Sequence, residues 1–180
     1  NRILDRKIDA LNERTKEREL PSGVMSLGRA WLIAAIGLAV YLAACALLGR
    51  LILALSPVPA FCLVGYSLLK RFTWLSHYGI GLVLGMAPLA AYVAVQGRLA
   101  VAPDILLLCG FAFLWMSGYD IIYALQDQEF DRAHGVHSIP ARFGGAAAER
   151  VAFASHMAAL FMLMAFAVWC SGGRWVWAPI

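Results

Sequence analysis

The chain has 180 residues, of which 62% are hydrophobic and only 14% are charged. Soluble domains carry about 25% charged residues, so this composition excludes an ordinary soluble protein. The formal net charge is +4, which membrane topology can explain, and we therefore expect no nucleic-acid partner.

The apolar residues are gathered into long runs, and a membrane-spanning helix needs about 20 mostly apolar residues. The sequence therefore predicts an all-α, multi-span transmembrane helical bundle embedded in the lipid bilayer. Five spans are predicted, at about 24–48, 51–69, 75–95, 102–125 and 151–170.

Basic residues lie mostly on one side of these spans. Twelve of the fifteen Lys and Arg residues fall on one side, and Arg50, Arg98 and Arg174 fall on the other. The positive-inside rule places the richer side in the cytoplasm. Ten of the eleven acids share that side, Asp104 being the exception. Since the rule does not concern acids, their distribution suggests a site.

Carboxylates recur at a spacing of four residues in two places. Asn1, Asp5 and Asp9 would share one face of a helix, and Asp127 and Asp131 repeat the spacing at the end of the fourth span. Either group alone could be a solvated helix end. Together, on one side of the membrane, they look like two halves of a cation site. Their oxygen ligands suit Mg²⁺, which proteins hold with carboxylates and substrate phosphates.

Several basic residues are predicted on the same side as these acids. Lys and Arg recognise phosphate, and Arg does so with two parallel hydrogen bonds. Lys70 follows Tyr66 by four residues in "YSLLKR", although Lys70 and Arg71 could equally be membrane anchors. A diphosphate bridged to Mg²⁺ needs both signs of charge nearby. We therefore expect Arg18, Lys70, Arg71 and Arg142 to lie near a phosphate group.

An aromatic ribbon leads along the fourth predicted span into the second acidic pair. Its members are four residues apart, a spacing that drifts slowly around a helix: Phe111, Trp115, Tyr119 and Tyr123. Asp120 lies on a nearby turn. Such a ribbon is most often ordinary helix packing. Because aromatic faces also stabilise cations, it could instead shelter a carbocation or line a channel for a lipid chain.

The segments "NRILDRKID", "YSLLKR" and "DIIYALQDQEFD" together resemble the motifs of the UbiA superfamily of intramembrane prenyltransferases. They are similar, in family order, to Asn-x-x-x-Asp-x-x-x-Asp, to Tyr-x-x-x-Lys and to Asp-x-x-Tyr-Ala-x-x-Asp-x-x-x-Asp. The segments "ERELPSG" and "GVHSIPARFG" also resemble its 4-hydroxybenzoate polyprenyltransferase-like branch. The resemblance covers the whole chain and implies nine helices. The five spans would then be helices three to seven of a single transmembrane prenyltransferase domain, residues 1–180, truncated at both ends.

The resemblance also implies an activity: Mg²⁺-dependent transfer of a polyprenyl group from polyprenyl diphosphate to a small aromatic acceptor such as 4-hydroxybenzoate. This reaction serves ubiquinone biosynthesis, at the inner membrane of a bacterium with the active site facing the cytoplasm. The implied metal ligands are Asn1, Asp5 and Asp9 for one Mg²⁺, and Asp127 and Asp131 for another. The implied catalytic residues are Asp127, Lys70 and Arg71. The implied substrate-binding residues are Asn1, Arg18, Tyr66, Lys70, Arg71, Asp120, Tyr123 and Arg142.

One departure from the family pattern concerns the acceptor. Many members begin the first motif with Asn-Asp, whereas this chain has Asn1-Arg2, and "DALNERT" is similar to members thought to prenylate a naphthoate for menaquinone. Outside the family, a transporter would also carry ionisable groups in its spans, but near the midplane and with repeat symmetry. A phosphatidyltransferase would concentrate its acids in one dense motif. Prenyl chain length and oligomeric state stay open.

Overall fold

The structure is a computed structural model that describes residues 1–172. Regular secondary structure in this range is helical throughout, which confirms the predicted all-α class. Arg174 lies outside the described residues. Five segments are long and apolar enough to cross a membrane, which confirms the five predicted spans: Leu27–Leu48, Arg50–Leu69, Ser76–Gln96, Pro103–His134 and Gly145–Cys170.

The chain forms two compact units, one from Asn1 to Ser56 and one from Pro57 onward, and the single domain stays a prediction. The first unit contains three helices: α1 (Arg2–Asp9), α2 (Leu27–Leu48) and α3 (Arg50–Leu55). Ser26 caps the start of helix α2, because its hydroxyl accepts the Arg29 N–H at 3.3 Å. Gly49 follows the last residue of α2, and its φ of 122° favours glycine because other residues are strained there.

In its described residues, 57–172, the second unit contains six α-helices: α4 (Pro57–Leu69), α5 (Ser76–Gln96), α6 (Pro103–Ala124), α7 (Gln128–His134), α8 (Ile139–Phe143) and α9 (Gly145–Cys170). Left-handed glycines end two of them, Gly97 after α5 and Gly135 after α7. Ser138 caps α8 by accepting the Ala141 N–H at 3.2 Å. These caps fix where the loops carrying polar residues leave the apolar helices.

Small residues allow the long helices of the second unit to approach closely. A Cβ on Gly81 of α5 would lie 2.5 Å from the Phe113 carbonyl oxygen of α6. A Cβ on Gly118 of α6 would lie 2.9 Å from His156 Nδ1 of α9. Glycine contacts of this kind are how helices pack in lipid, where hydrophobicity does not drive them together.

The buried core of the second unit lies where α6, α8 and α9 meet. It consists of Ile121, Ile139, Ala148 and Ala152, with relative exposures of 2% or less. Ile121 directly follows Asp120, so this core supports the part of α6 that carries the second acidic motif.

One helix boundary differs from the sequence prediction. Helix α9 begins at Gly145 rather than near residue 151, because its first turns include the polar pair Glu149 and Arg150, which apolar patterning does not recognise as helix. Helix α6 ends at Ala124 and is followed by a 3-10 turn, Leu125–Asp127, before α7.

The aromatic ribbon and the second acidic pair therefore do not lie on one regular α-helix. In the 3-10 turn the N–H of Gln128 bonds to the carbonyl oxygen of Leu125, which tightens the winding to three residues per turn. Asp127 itself has φ −108° and ψ 8°, outside helical values. Short polar residues such as aspartate compete for backbone hydrogen bonds and favour such interruptions.

Candidate active site

The first acidic motif lies on α1, in the first unit. Asp5 and Asp9 are one helical turn apart and are only 3% and 8% exposed. Asn1 precedes the helix and is exposed; its backbone carbonyl accepts the Asp5 N–H at 2.9 Å, and its side chain makes no capping bond. The structure therefore buries the two predicted carboxylates together and leaves the predicted amide at the surface.

The loop after α1 returns Arg18 to the first motif. Arg18 Nη1 donates to both carboxylate oxygens of Asp9, at 3.1 and 3.2 Å. The Thr15 hydroxyl, in a side chain that is almost fully buried, donates to the Asp9 carbonyl at 2.9 Å. A buried carboxylate is stable only with a compensating charge and hydrogen bonds, and here the loop supplies them to Asp9.

The second acidic motif runs from Asp120 near the end of α6, through Asp127 in the 3-10 turn, to Asp131 on α7, all in the second unit. Asp131 on α7 is 8% exposed. Its carboxyl interacts with the Ser138 hydroxyl and with the charged groups of Asp127 and Lys70. Three residues predicted for the site, Lys70, Asp127 and Asp131, are thus brought together within one unit.

The Tyr66–Lys70 segment is held against the neighbouring elements of the same unit. Gly79 on α5 permits this, because a Cβ there would lie 3.2 Å from Tyr66 Cβ. The Lys70 carbonyl accepts the His137 N–H at 2.8 Å, which ties the end of α4 to the loop before α8. Arg71 follows at the surface.

Asp120 on α6 is paired with a residue that the sequence reading did not assign to the site. Its Oδ2 lies 2.7 Å from Nδ1 of His77, in the first turn of α5, and the His77 ring is almost fully buried. The sequence did offer a signal, a histidine in one apolar span and an aspartate near the end of another. Ionisable groups in membrane helices are costly without a partner.

The other predicted site residues have mixed surroundings. The Arg142 guanidinium lies over the ring of Trp74, 5.9 Å from its centroid, and 5.4 Å from that of Phe143, an arrangement typical of cation–π contacts. Tyr123 is 40% exposed. Its membership of a carbocation shelter or a lipid channel stays a prediction.

The ribbon residues Phe111 and Trp115 contact each other, with ring centroids 5.8 Å apart, and Trp115 also meets the His156 ring edge to face. For these two residues the packing interpretation describes the contacts observed.

The donor chemistry of each motif fits Mg²⁺. Among residues 1–172, no three His, Cys, Asp or Glu side chains form a cluster that could hold a metal by themselves. Each motif instead offers two carboxylates as predicted ligands, Asp5 and Asp9 in the first and Asp127 and Asp131 in the second. All of these except Asp127 are buried. Mg²⁺ is commonly held by one or two carboxylates while water and substrate phosphates complete its octahedron. The two motifs lie in different units, and their joining into one site stays a prediction.

Comparison with known proteins agrees with the motifs. The family model "UbiA prenyltransferase family" matches residues 1–180. A 4-hydroxybenzoate octaprenyltransferase of Shewanella denitrificans is 33% identical over 174 residues, covering 96% of this chain and 56% of that protein. A polyprenyl transferase of Nectria sp is 35% identical over 146 residues, covering 80% of this chain and 47% of that protein.

A solved structure is also similar. The apo structure of a UbiA homolog from Aeropyrum pernix K1 superposes with a TM-score of 0.86 at 38% identity, covering 95% of this chain and 64% of that one. The chain spans about half the length of the curated relatives it matches.

Proposed function

Since the chain belongs to the UbiA prenyltransferase family, as its motifs predicted, we propose that the full-length protein is an aromatic polyprenyltransferase of quinone biosynthesis. Its donor is a polyprenyl diphosphate, and its acceptor is a small phenolic ring of the 4-hydroxybenzoate kind. The similarity to the Shewanella denitrificans enzyme, named for that acceptor, supports this choice.

One observation carries the proposal: a buried carboxylate beside a second acid and a lysine, at the end of a long apolar helix. Asp131 is 8% exposed and interacts with Asp127 and Lys70. The donor substrate is divided in the same way. Its diphosphate head needs metal-binding acids and a cation, whereas its isoprenoid tail belongs with apolar side chains.

The residues of the second unit have distinct roles in this proposal. Lys70 and Arg71 hold the diphosphate and neutralise the charge that grows on it as the allylic carbon–oxygen bond breaks. The electron pair of that bond leaves with the diphosphate. The acceptor ring then forms a carbon–carbon bond ortho to its hydroxyl and loses a proton, either to Asp127 or to the departing diphosphate.

Mg²⁺ is part of the proposal as the cofactor. Asp5 and Asp9 would hold one ion in the first unit, and Asp127 and Asp131 would hold another in the second. When bound, Mg²⁺ would supply Lewis-acid neutralisation of the leaving group. Asn1 is the weakest of the proposed ligands, because its side chain is exposed whereas both aspartates of its motif are buried.

The charged side of the protein is proposed to face the cytoplasm of a bacterium, with the spans in the inner membrane. Twelve basic residues on that side support this orientation through the positive-inside rule. A diphosphate donor and a water-soluble phenolic acid would reach the acidic motifs from that compartment.

The test uses membranes carrying the full-length gene product. Labelled 4-hydroxybenzoate or a labelled dihydroxynaphthoate is supplied with a polyprenyl diphosphate and with Mg²⁺ or EDTA, and label entering the lipid extract is counted. We expect Mg²⁺-dependent label from 4-hydroxybenzoate. Label from the dihydroxynaphthoate alone would move the assignment to a menaquinone route, and label that persists in EDTA would refute the metal requirement.

Matched substitutions test the two motifs. Asp5→Asn and Asp131→Asn each remove one charge without changing shape, and we expect transfer to fall by about 10²–10³-fold, the size of a lost electrostatic stabiliser. Asp104→Asn is the control, because Asp104 lies in the first turn of α6, at the opposite end of that helix from the second motif. Wild-type transfer in either motif variant would refute its assignment.

A further inference from the structure

His77 is a buried polar side chain for which the proposed reaction has no use. It is 3% exposed and lies in the first turn of α5. Both of its ring nitrogens have partners: Nδ1 is 2.7 Å from Asp120 Oδ2, and Nε2 is 3.2 Å from the Ile139 backbone nitrogen. One imidazole therefore links α5, α6 and α8.

These two partners determine which nitrogen of His77 carries the proton. The backbone N–H of Ile139 can only donate, so Nε2 must accept with its lone pair. The ring proton then lies on Nδ1 and is donated to the Asp120 carboxylate. A proton on Nε2 would place two donors against each other at a buried position, so the arrangement selects the neutral Nδ1–H tautomer.

The Ile139 contact also places the loop that reaches Asp131. The Val136 N–H of this loop donates to the Asp131 carbonyl at 2.9 Å, and the Ser138 hydroxyl, one residue before Ile139, acts on the Asp131 carboxyl. On its other side, the loop is held by the bond from the His137 N–H to the Lys70 carbonyl at 2.8 Å. His77 thus contacts Asp120 directly and supports Asp131 through this loop.

A tie of this kind is needed because no single helix joins Asp120 to Asp131. The 3-10 turn Leu125–Asp127 interrupts the α-helical winding between them, and 3-10 segments have poorer hydrogen-bond geometry than α-helix. The distance between the two ends of the motif is therefore set by contacts from outside it.

We propose that His77 is a positioning residue for the second acidic motif, which it holds at both ends. Its Nδ1–H fixes the Asp120 carboxylate in one orientation, and its Nε2 anchors the segment 136–139, whose Val136 N–H bonds the Asp131 carbonyl. The inference rests on the proposed function for its effect on catalysis, but the hydrogen-bond arrangement can be tested without activity.

Two substitutions that keep similar side-chain shape test the two hydrogen bonds of His77 separately. His77→Asn keeps a side-chain N–H close to the Nδ1 position, and His77→Gln keeps a carbonyl oxygen close to the Nε2 position. His77→Phe keeps a ring without either group. In transfer assays on membranes we expect kcat/KM to fall by about 10–100-fold in the Phe variant, as for other supporting shells.

The Asn variant should recover transfer to within about five-fold of wild type, since it keeps the hydrogen bond to Asp120, which lies closer to the substrate than the bond to Ile139. The Gln variant should transfer as poorly as the Phe variant but unfold at a higher detergent fraction, because it retains the Ile139 bond. Wild-type transfer in the Phe variant would overturn the proposal. So would an Asn variant that is as stable as wild type but as inactive as the Phe variant.

A spectroscopic measurement tests the bond independently of activity. In full-length protein labelled with ¹⁵N-histidine, the His77 ring signal is identified by its loss in His77→Asn. We expect a protonated Nδ1 and an unprotonated Nε2, with a Nδ1 proton signal that moves in Asp120→Ala and stays in Asp104→Ala.

A ring protonated on Nε2, or one indifferent to Asp120→Ala, would overturn the positioning role. Absence of transfer in wild type would refute the proposed function alone. The ring signals would then still decide whether His77 holds Asp120.

Discussion

Replacing Gly81 with alanine is expected to push α5 away from α6 beside the second acidic motif. The added Cβ would lie 2.0 Å from Ser117 Oγ and 2.5 Å from the Phe113 carbonyl oxygen. The hydroxyl can rotate away only by giving up its 2.7 Å bond to that same carbonyl. The carbonyl is backbone and cannot rotate, so the two helices must separate.

The magnitude follows from these distances. Observed Cβ contacts essentially never fall below 3.0 Å, so relief requires a helix shift of about 0.5–1 Å, and overpacking of this kind costs about 1–3 kcal/mol. Loss of the Ser117 bond adds about 0.5–1.5 kcal/mol. His77 lies one turn earlier on α5, so the same shift lengthens its 2.7 Å contact with Asp120 toward the limit of a hydrogen bond.

The assay is reversible unfolding of the full-length protein in mixed detergent micelles, read as the detergent fraction at the midpoint, together with transfer activity. Gly110→Ala is the control, because its Cβ would meet Met162 at an ordinary 3.5 Å. We expect the control to stay within about 1 kcal/mol of wild type, on the stabilising side, since glycine is entropically unfavourable in a helix. Equal midpoints for the two variants would refute the close approach of α5 and α6.

Two further predictions concern other contacts. Arg18→Gln should destabilise the loop after α1 by about 1.5–3 kcal/mol, because Asp9 is left buried without its cation. The control is Arg2→Gln, which removes an ion pair whose side chains are 58% and 55% exposed and should change the stability of the loop by under about 1 kcal/mol. Amide hydrogen exchange measures both variants, and equal protection in the two would contradict the burial of Asp9. Gly118→Ala should loosen α6 from α9, because its Cβ would lie 2.8 Å from His156 Cε1. Its free energy of unfolding should fall by about 1–3 kcal/mol, which lowers the detergent fraction at the midpoint, and an unchanged midpoint would contradict this contact.

Much of the fold could be predicted from the sequence because the bilayer imposes a length rule. Apolar runs of about 20 residues must be helices in lipid, and all five predicted spans are present. The pairing of Asp5 with Asp9 was also predictable, because residues four apart share a helix face. Their burial confirms the common face.

The structure departs from the prediction where local backbone chemistry competes with periodicity. The spacing of four residues from Phe111 to Asp131 would follow one helix face only on an unbroken α-helix. The turn at Leu125–Asp127 changes the winding, and apolar spacing alone does not mark that change.

The sequence by itself determined which segments cross the membrane, on which side the charges gather, and which carboxylates share a turn, because each depends on residues close together in the chain. Only the tertiary structure decided that His77 faces Asp120, 43 residues away, and Ile139, 62 residues away. The physical reason lies in the helices themselves. Both α5 and α6 are apolar all round, so composition does not mark the face that turns inward. The contacts of Gly81 and Gly118 set that face and bring the buried polar groups together.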